Sequence, residues 1–211
     1  MSMTEIVRIA LHKKSNKFIH VDNAENGLAC DCECLKCGER LEAIQGEIRT
    51  KHFRHHTNKD CEGSQETALH ELGKQILIEN THINIPQYGD VSYTEAIAEK
   101  RFEKIRPDVT AIYEGKNIYF EIFVSHLVDE KKDAYIKDKM LRCIEIDLSE
   151  CRKSSYEEIC NEVLERLENK RIIYWDAKES STTNQDNTGC LLQLLLLFMI
   201  LLGFSWILRE K

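Results

Sequence analysis

The chain has no surplus of positive charge. Its 211 residues carry 29 Lys and Arg against 36 Asp and Glu, a formal net charge of −7. That argues against a protein that grips nucleic acid by bulk electrostatics, which would normally be basic. It leaves room for an enzyme that acts on nucleic acid, whose site needs carboxylates and only local basic patches. The N-terminal stretch MSMTEIVRIALHKKSNK also lacks an uninterrupted apolar core, so no signal peptide is expected there. A reducing cytosol is the expected setting for the globular part, and its cysteines read as metal ligands rather than disulfides.

The far end lacks polarity instead. CLLQLLLLFMILLGFSWIL, residues 190–208, is apolar except for Gln193 and Ser205. At ~1.5 Å per helical residue it nearly spans a hydrocarbon core of ~30 Å. A buried core helix would keep a polar stripe in a domain this small, so the expectation is a single-pass transmembrane helix. AKESSTTNQDNTG, residues 177–189, reads as a flexible linker. Arg209 and Lys211 would weakly favour the reverse orientation, but the cysteine chemistry outweighs them and puts the globular part in the cytoplasm.

Of nine cysteines, five fall between Cys30 and Cys61. CLKCG holds Cys34 and Cys37 with two residues between them and then Gly38, a zinc knuckle whose turn aims two thiolates at one ion. KHFRHHTNKDC follows, with His52, His55, His56 and Cys61. Two ligands from each segment would close a tetrahedral, structural Zn²⁺ site. Phe53 and His55 share strand parity, so His55 can point inward. The favoured set is Cys34, Cys37, His55 and Cys61, with His52 as the alternative to His55. Cys30 and Cys32 either compete for the ion or are small buried strand residues, and the second reading is preferred.

From Gln65 the pattern turns helical, with Leu69, Leu72 and Ile76 on one face. Glu66, His70 and Lys74 form a polar stripe, which by itself reads as solvated. VSYTEAIAEKRF suggests a first strand ending in a basic run of Lys100, Arg101, Lys104 and Arg106. DVTAIY and NIYFEIFV suggest a hairpin joined by EGKN. A helix over HLVDEKKDAYIKDKM, a buried strand LRCIEIDLS, a helix SYEEICNEVLERLEN with Ile159, Val163 and Leu167 on one face, and a short RIIYW strand complete the order. A hairpin turn centred between Gly115 and Lys116 sets Asp108 opposite Phe123 and puts Asp108, Thr110, Glu121 and Phe123 on one face. Two such carboxylates repel unless a cation or proton joins them, and Mg²⁺ does so with oxygen ligands. The competing readings are that one acid faces solvent or that an arginine neutralises the pair.

In this order the knuckle, HFRH, the LHELGK helix, RPDV and FEIFVSH resemble the CoiA-like competence protein family over roughly residues 6–175. The resemblance implies a zinc-binding region, residues 1–62, joined to a PD-(D/E)xK nuclease domain, residues 63–176. The fold class would be α+β or α/β, with a restriction-endonuclease-like α-β-β-β-α-β core. Asp108 and Glu121 would then hold catalytic Mg²⁺ or Mn²⁺, aided by the Ile122 carbonyl. Glu66 would be an accessory acid, and His70 and Lys74 would line the cleft. The superfamily's lysine, two residues after the second acid, is absent: Phe123 stands there. Some members supply it from a helix, and Lys74, Lys131 and Lys132 are the candidates, each with a surface-residue alternative. Lys100, Arg101, Lys104, Arg106, His70 and His126 would contact the DNA. The expectation is a membrane-anchored DNA nuclease for DNA uptake or for defence against foreign DNA. The alternative is a non-catalytic zinc-containing nucleic-acid-binding or adaptor protein at the membrane, and a second is an oxidoreductive or regulatory cysteine protein using CDCECLKC.

Overall fold

The structure, a computed structural model, describes residues 6–48, 50–57, 61, 65–125 and 128–176. Among these residues it is a mixed α+β architecture with three sheets. The expected linker and the expected transmembrane helix over 190–208 lie outside the described residues. Among the described residues no helix is long and apolar enough to cross a membrane.

The N-terminal part is a five-stranded antiparallel sheet in the order β2-β1-β3-β4-β5. Its strands are β1 (Ile9–His12), β2 (Lys17–His20), β3 (Gly27–Glu33), β4 (Arg40–Ile44) and β5 (His52–His55). Alternate residues turn inward, and Val21, Cys32, Leu41 and Ala43 are fully buried between them. This core is small, so the sheet leans on its neighbours. Strand β2 is an edge strand, and Phe18 turns its backbone groups away from β1. Gln75 meets them: its Oε1 accepts from Phe18 N at 2.7 Å and its Nε2 donates to Phe18 O at 3.1 Å.

Gln75 belongs to α1 (Gln65–Glu79). Leu69, Leu72 and Ile76 recur at helical spacing on its buried face, each at most 1% exposed. Burying such side chains contributes roughly 1.5–3 kcal/mol apiece. The helix lies close to the main sheet at Gly73, where a Cβ would stand 3.0 Å from Leu148 Cδ1 and 3.4 Å from Ile122 Cγ2.

After α1 come β6 (His82–Ile85) and β7 (Gly89–Ser92), a small separate sheet. Then follow β8 (Thr94–Ala98), β9 (Val109–Tyr113), β10 (Lys116–Phe123), α2 (Glu130–Asp138), β11 (Cys143–Asp147), α3 (Tyr156–Leu164) and β12 (Lys170–Tyr174). The main sheet runs β12-β11-β10-β9-β8. Strands β8, β9 and β10 form an antiparallel meander, α2 carries the chain to β11 parallel with β10, and β12 returns antiparallel. One face buries Ile118, Phe120 and Ile144 together with α1 and α3 residues such as Leu72 and Ile159. The other buries Tyr119 and Cys143 against Ile136 of α2.

Three local expectations change. The stretch read as one first strand is two, because β7 pairs with β6 while β8 joins the main sheet. The β9–β10 turn has only Glu114 and Gly115 at its tip, both left-handed at φ 49° and 72°, the geometry that matches strand twist. Lys116 therefore pairs with Tyr113 and Phe120 with Val109, two residues from the expected register. A shift of two preserves facing, but Asp108 now adjoins the rung of Glu121 rather than that of Phe123. Finally, α3 ends at Leu164, so Leu167 is exposed.

Candidate metal centre and acidic site

The knuckle forms where β3 runs into β4. Gly38 adopts φ 66°, its amide donates to Cys34 O at 2.8 Å, and Cys34 N donates to Glu39 O at 2.9 Å. This tight loop turns Cys34 and Cys37 to one side. Strand β5 supplies His55, buried on the same face as Phe53, and Cys61 arrives from the following segment. The ligand atoms of Cys34, Cys37, His55 and Cys61 all lie within 4.8 Å of one another. Cys34 Sγ and Cys61 Sγ are 4.0 Å apart, and Cys37 Sγ is 3.4 Å from His55 Nε2. Zn–S bonds of ~2.3 Å in a tetrahedron imply sulfur pairs about 3.8 Å apart. Burial pushes the Cys34 thiol up to about 11, so only a cation would hold it as thiolate near neutrality. Three thiols and one imidazole, with no fifth donor among them, could hold a metal such as zinc in a closed set.

His52 does not join the cluster; its Nδ1 lies 2.9 Å from Thr50 O. Cys30 and Cys32 are buried in the sheet core, and their thiols donate to Leu41 O at 3.4 Å and Cys30 O at 3.0 Å.

The acidic site lies in the main sheet. Asp108 immediately precedes β9, and its Oδ2 accepts from the Ile122 amide at 2.7 Å and faces His70 Nε2 at 3.1 Å. Burial alone would raise this carboxyl, but His70, the Ile122 amide and Lys132 outweigh it and hold it below the usual range. The same contact, with Glu71 beside it, lifts His70 to about 9.

Glu121 lies on the α2 face of β10, 5% exposed. Burial pushes its carboxyl up to about 7, Lys132 pulls it back, and Asp108 and Glu145 push it further up. Lys132 Nζ donates to Glu121 Oε2 at 2.6 Å and to Arg106 O at 3.3 Å. Asp129 starts the helix that delivers it, accepting from Lys132 N at 2.9 Å. Glu121 Oε1 and Thr110 Oγ1 are buried without a hydrogen-bond partner among the described residues. Such orphaned oxygens are costly unless something else meets them.

The remaining residues divide. Glu66 and His70 line a small cleft of about 220 Å³ with Ile122 and Ser125, where Glu66 contacts Ser125 and lies 3.4 Å from Arg152. Lys74 is turned away, 2.5 Å from Glu71 and 2.7 Å from Glu99. Lys131 is exposed on α2. Lys100, Arg101, Lys104 and Arg106 are exposed in the β8–β9 connection, and Arg106 pairs with Glu99. His126 lies outside the described residues. Phe123 shares the face of Glu121 and forms part of the wall of a cavity of about 580 Å³ beside α2.

Sequence reading missed Glu145 and Arg171. Glu145 pairs with Glu121 across β10 and β11, and Arg171 pairs with Glu145 across β11 and β12. A charged residue inside the apolar run CIEID was the available signal, since a buried acid needs a partner.

No family model, no curated protein and no solved structure matches the chain. The resemblance to the competence family therefore rests on the motifs alone.

Proposed function

We propose that the protein is a metal-dependent nuclease acting on DNA, of the PD-(D/E)xK kind, with its lysine supplied by α2. The observation that carries this reading is Lys132 Nζ, 2.6 Å from Glu121 Oε2. Lys132 compensates for the phenyl group of Phe123 by reaching Glu121 from the neighbouring helix. Two further features support it. One is the order α1, then, after the β6–β7 hairpin, the β8–β9–β10 meander, α2 and β11. The other is the orphaned Glu121 Oε1 beside Asp108, whose hydrogen bonds among the described residues fall on Oδ2, so each acid offers an oxygen to a hard cation.

Asp108 and Glu121 would hold Mg²⁺ or Mn²⁺, which when bound supplies Lewis acidity at the scissile phosphate. Lys132 would orient the attacking water and offset charge on the phosphate. His70 fixes Asp108. Lys100, Arg101 and Lys104 offer exposed positive charge to the phosphate backbone. The Cys/His centre would carry structural Zn²⁺, and the apolar run 190–208 would hold the enzyme at a membrane.

The test is incubation of the full-length chain with plasmid, linear and single-stranded DNA and either Mg²⁺ or Mn²⁺. Cleavage is expected, and it should vanish in Asp108→Ala and in Glu121→Ala. A non-catalytic DNA-binding adaptor is the second reading, favoured by Phe123 standing on the active face. Tight DNA binding without cutting in either metal would establish it.

A further inference from the structure

The α2 face of the main sheet carries three charged residues on one line across three strands. Glu121 on β10 pairs with Glu145 on β11, and Glu145 with Arg171 on β12. Two buried carboxylates side by side compete for any cation nearby. Glu145 is 3% exposed, and both its oxygens are taken: Oε1 accepts from Arg171 Nε at 2.8 Å and Oε2 from Val128 N at 2.8 Å. Arg171 Nη1 also donates to Asp133 Oδ1 at 2.8 Å. Asp133 is the residue after Lys132, so consecutive residues of α2 reach opposite sides of Glu145. Lys132 goes to Glu121, and Asp133 goes to Arg171.

We propose that Arg171 is a positioning residue that dedicates Lys132 to Glu121. It does this by neutralising Glu145 and by anchoring α2 through Asp133. The inference rests on the nuclease reading for its consequence, but the side-chain arrangement stands apart from it. Without Arg171 the Glu145 carboxylate is buried without its cation, and Lys132, held by Glu121, is a cation one strand away. The ammonium would then be shared, and the group that should serve the scissile phosphate would be drawn along the sheet. Lysine at position 171 can restore the charge but not both bonds, because a guanidinium spans two acids at fixed angles and an ammonium does not.

The test combines a spectroscopic and a kinetic readout on the full-length protein. A lysine ammonium held by a buried carboxylate exchanges its protons slowly and gives its own proton–nitrogen signal, assigned here by its loss in Lys132→Arg. Arg171→Met should shift or broaden that signal and lower kcat by about 10- to 100-fold. Removing the competitor in Arg171→Met/Glu145→Gln should return the signal to its original position and recover most of kcat. A purely structural role for Arg171 would also be relieved by removing the orphaned Glu145 charge, but a folded Arg171→Met would then keep the Lys132 signal in place, so the signal separates the two roles.

The proposal is overturned if the unmodified protein shows no protected Lys132 signal, if Arg171→Met leaves it in place, or if the double variant fails to restore it. Should the signal behave as expected in a protein that never cuts DNA, the positioning network stands and the nuclease reading falls.

Discussion

His70 Nε2 stands 3.1 Å from Asp108 Oδ2 and ties helix α1 to the segment that enters β9. The contact holds His70 cationic up to about pH 9, against an ordinary midpoint of 6.5. A cation favoured in the folded state stabilises it fully below pH 6.5, and that contribution drains away as pH rises towards 9. The thermal midpoint should therefore fall across this alkaline window. In His70→Asn the fall should be shallower, as calorimetry at matched ionic strength would read. An equal slope in both proteins would mean that the pair contributes no stability.

Glu121 gives a second slope at lower pH. Its carboxyl is raised from 4.5 to about 7, mainly by burial, so the folded state binds the proton more tightly than the unfolded chain. Stability from this group is present below about pH 4.5 and declines as pH rises to about 7. Glu121→Gln should flatten that decline. In the same variant divalent-cation affinity, measured by calorimetric titration, should be lost.

The three candidate lysines should separate cleanly. Lys132→Met should cut DNA cleavage by about 10²-fold, the scale of losing one preorganised charge at a phosphate. Lys131→Met, altered on the exposed side of α2, should stay within about twofold of the unmodified enzyme. Lys74→Met should instead cost about 1–2 kcal/mol of stability, because its side chain is 3% exposed and its ammonium sits between Glu71 and Glu99. Cleavage rates and denaturant midpoints, taken together, distinguish these outcomes.

At the Cys/His centre, Cys34→Ser or His55→Ala should abolish stoichiometric zinc in the purified protein and lower the thermal midpoint. His52→Ala should retain the metal, because His52 points elsewhere. Elemental analysis alongside a melting curve reads both. A redox role for the cluster would be supported only by a protein that purifies without zinc.

Gln75→Ala should loosen the N-terminal sheet. The amide of Phe18 would lose its acceptor and the carbonyl its donor, a loss of about 1–3 kcal/mol if water does not replace them. Hydrogen exchange at Phe18 should accelerate more than exchange in β10.

Much of this was written in the order of residue types. Apolar spacing set α1, and Leu69, Leu72 and Ile76 are buried as their periodicity requires. The alternation of NIYFEIFV fixes which residues of β10 share a face, so Glu121 and Phe123 stand together whatever the register. Knuckle spacing and strand parity selected Cys34, Cys37, His55 and Cys61. Local rules suffice in these cases because each depends on neighbours a few residues apart.

Tertiary structure decided what depends on distant partners. The β9–β10 register turned on Glu114 accepting a left-handed backbone, which glutamate rarely does. Which lysine meets Glu121 depended on the placement of α2 over β10, fixed by Ile136 in the core and by Arg171 from β12. Lys74 and Lys132 look alike in the sequence. One is spent on Glu71 and Glu99 and the other reaches Glu121, because a charge is assigned by what packs around it and not by its own identity.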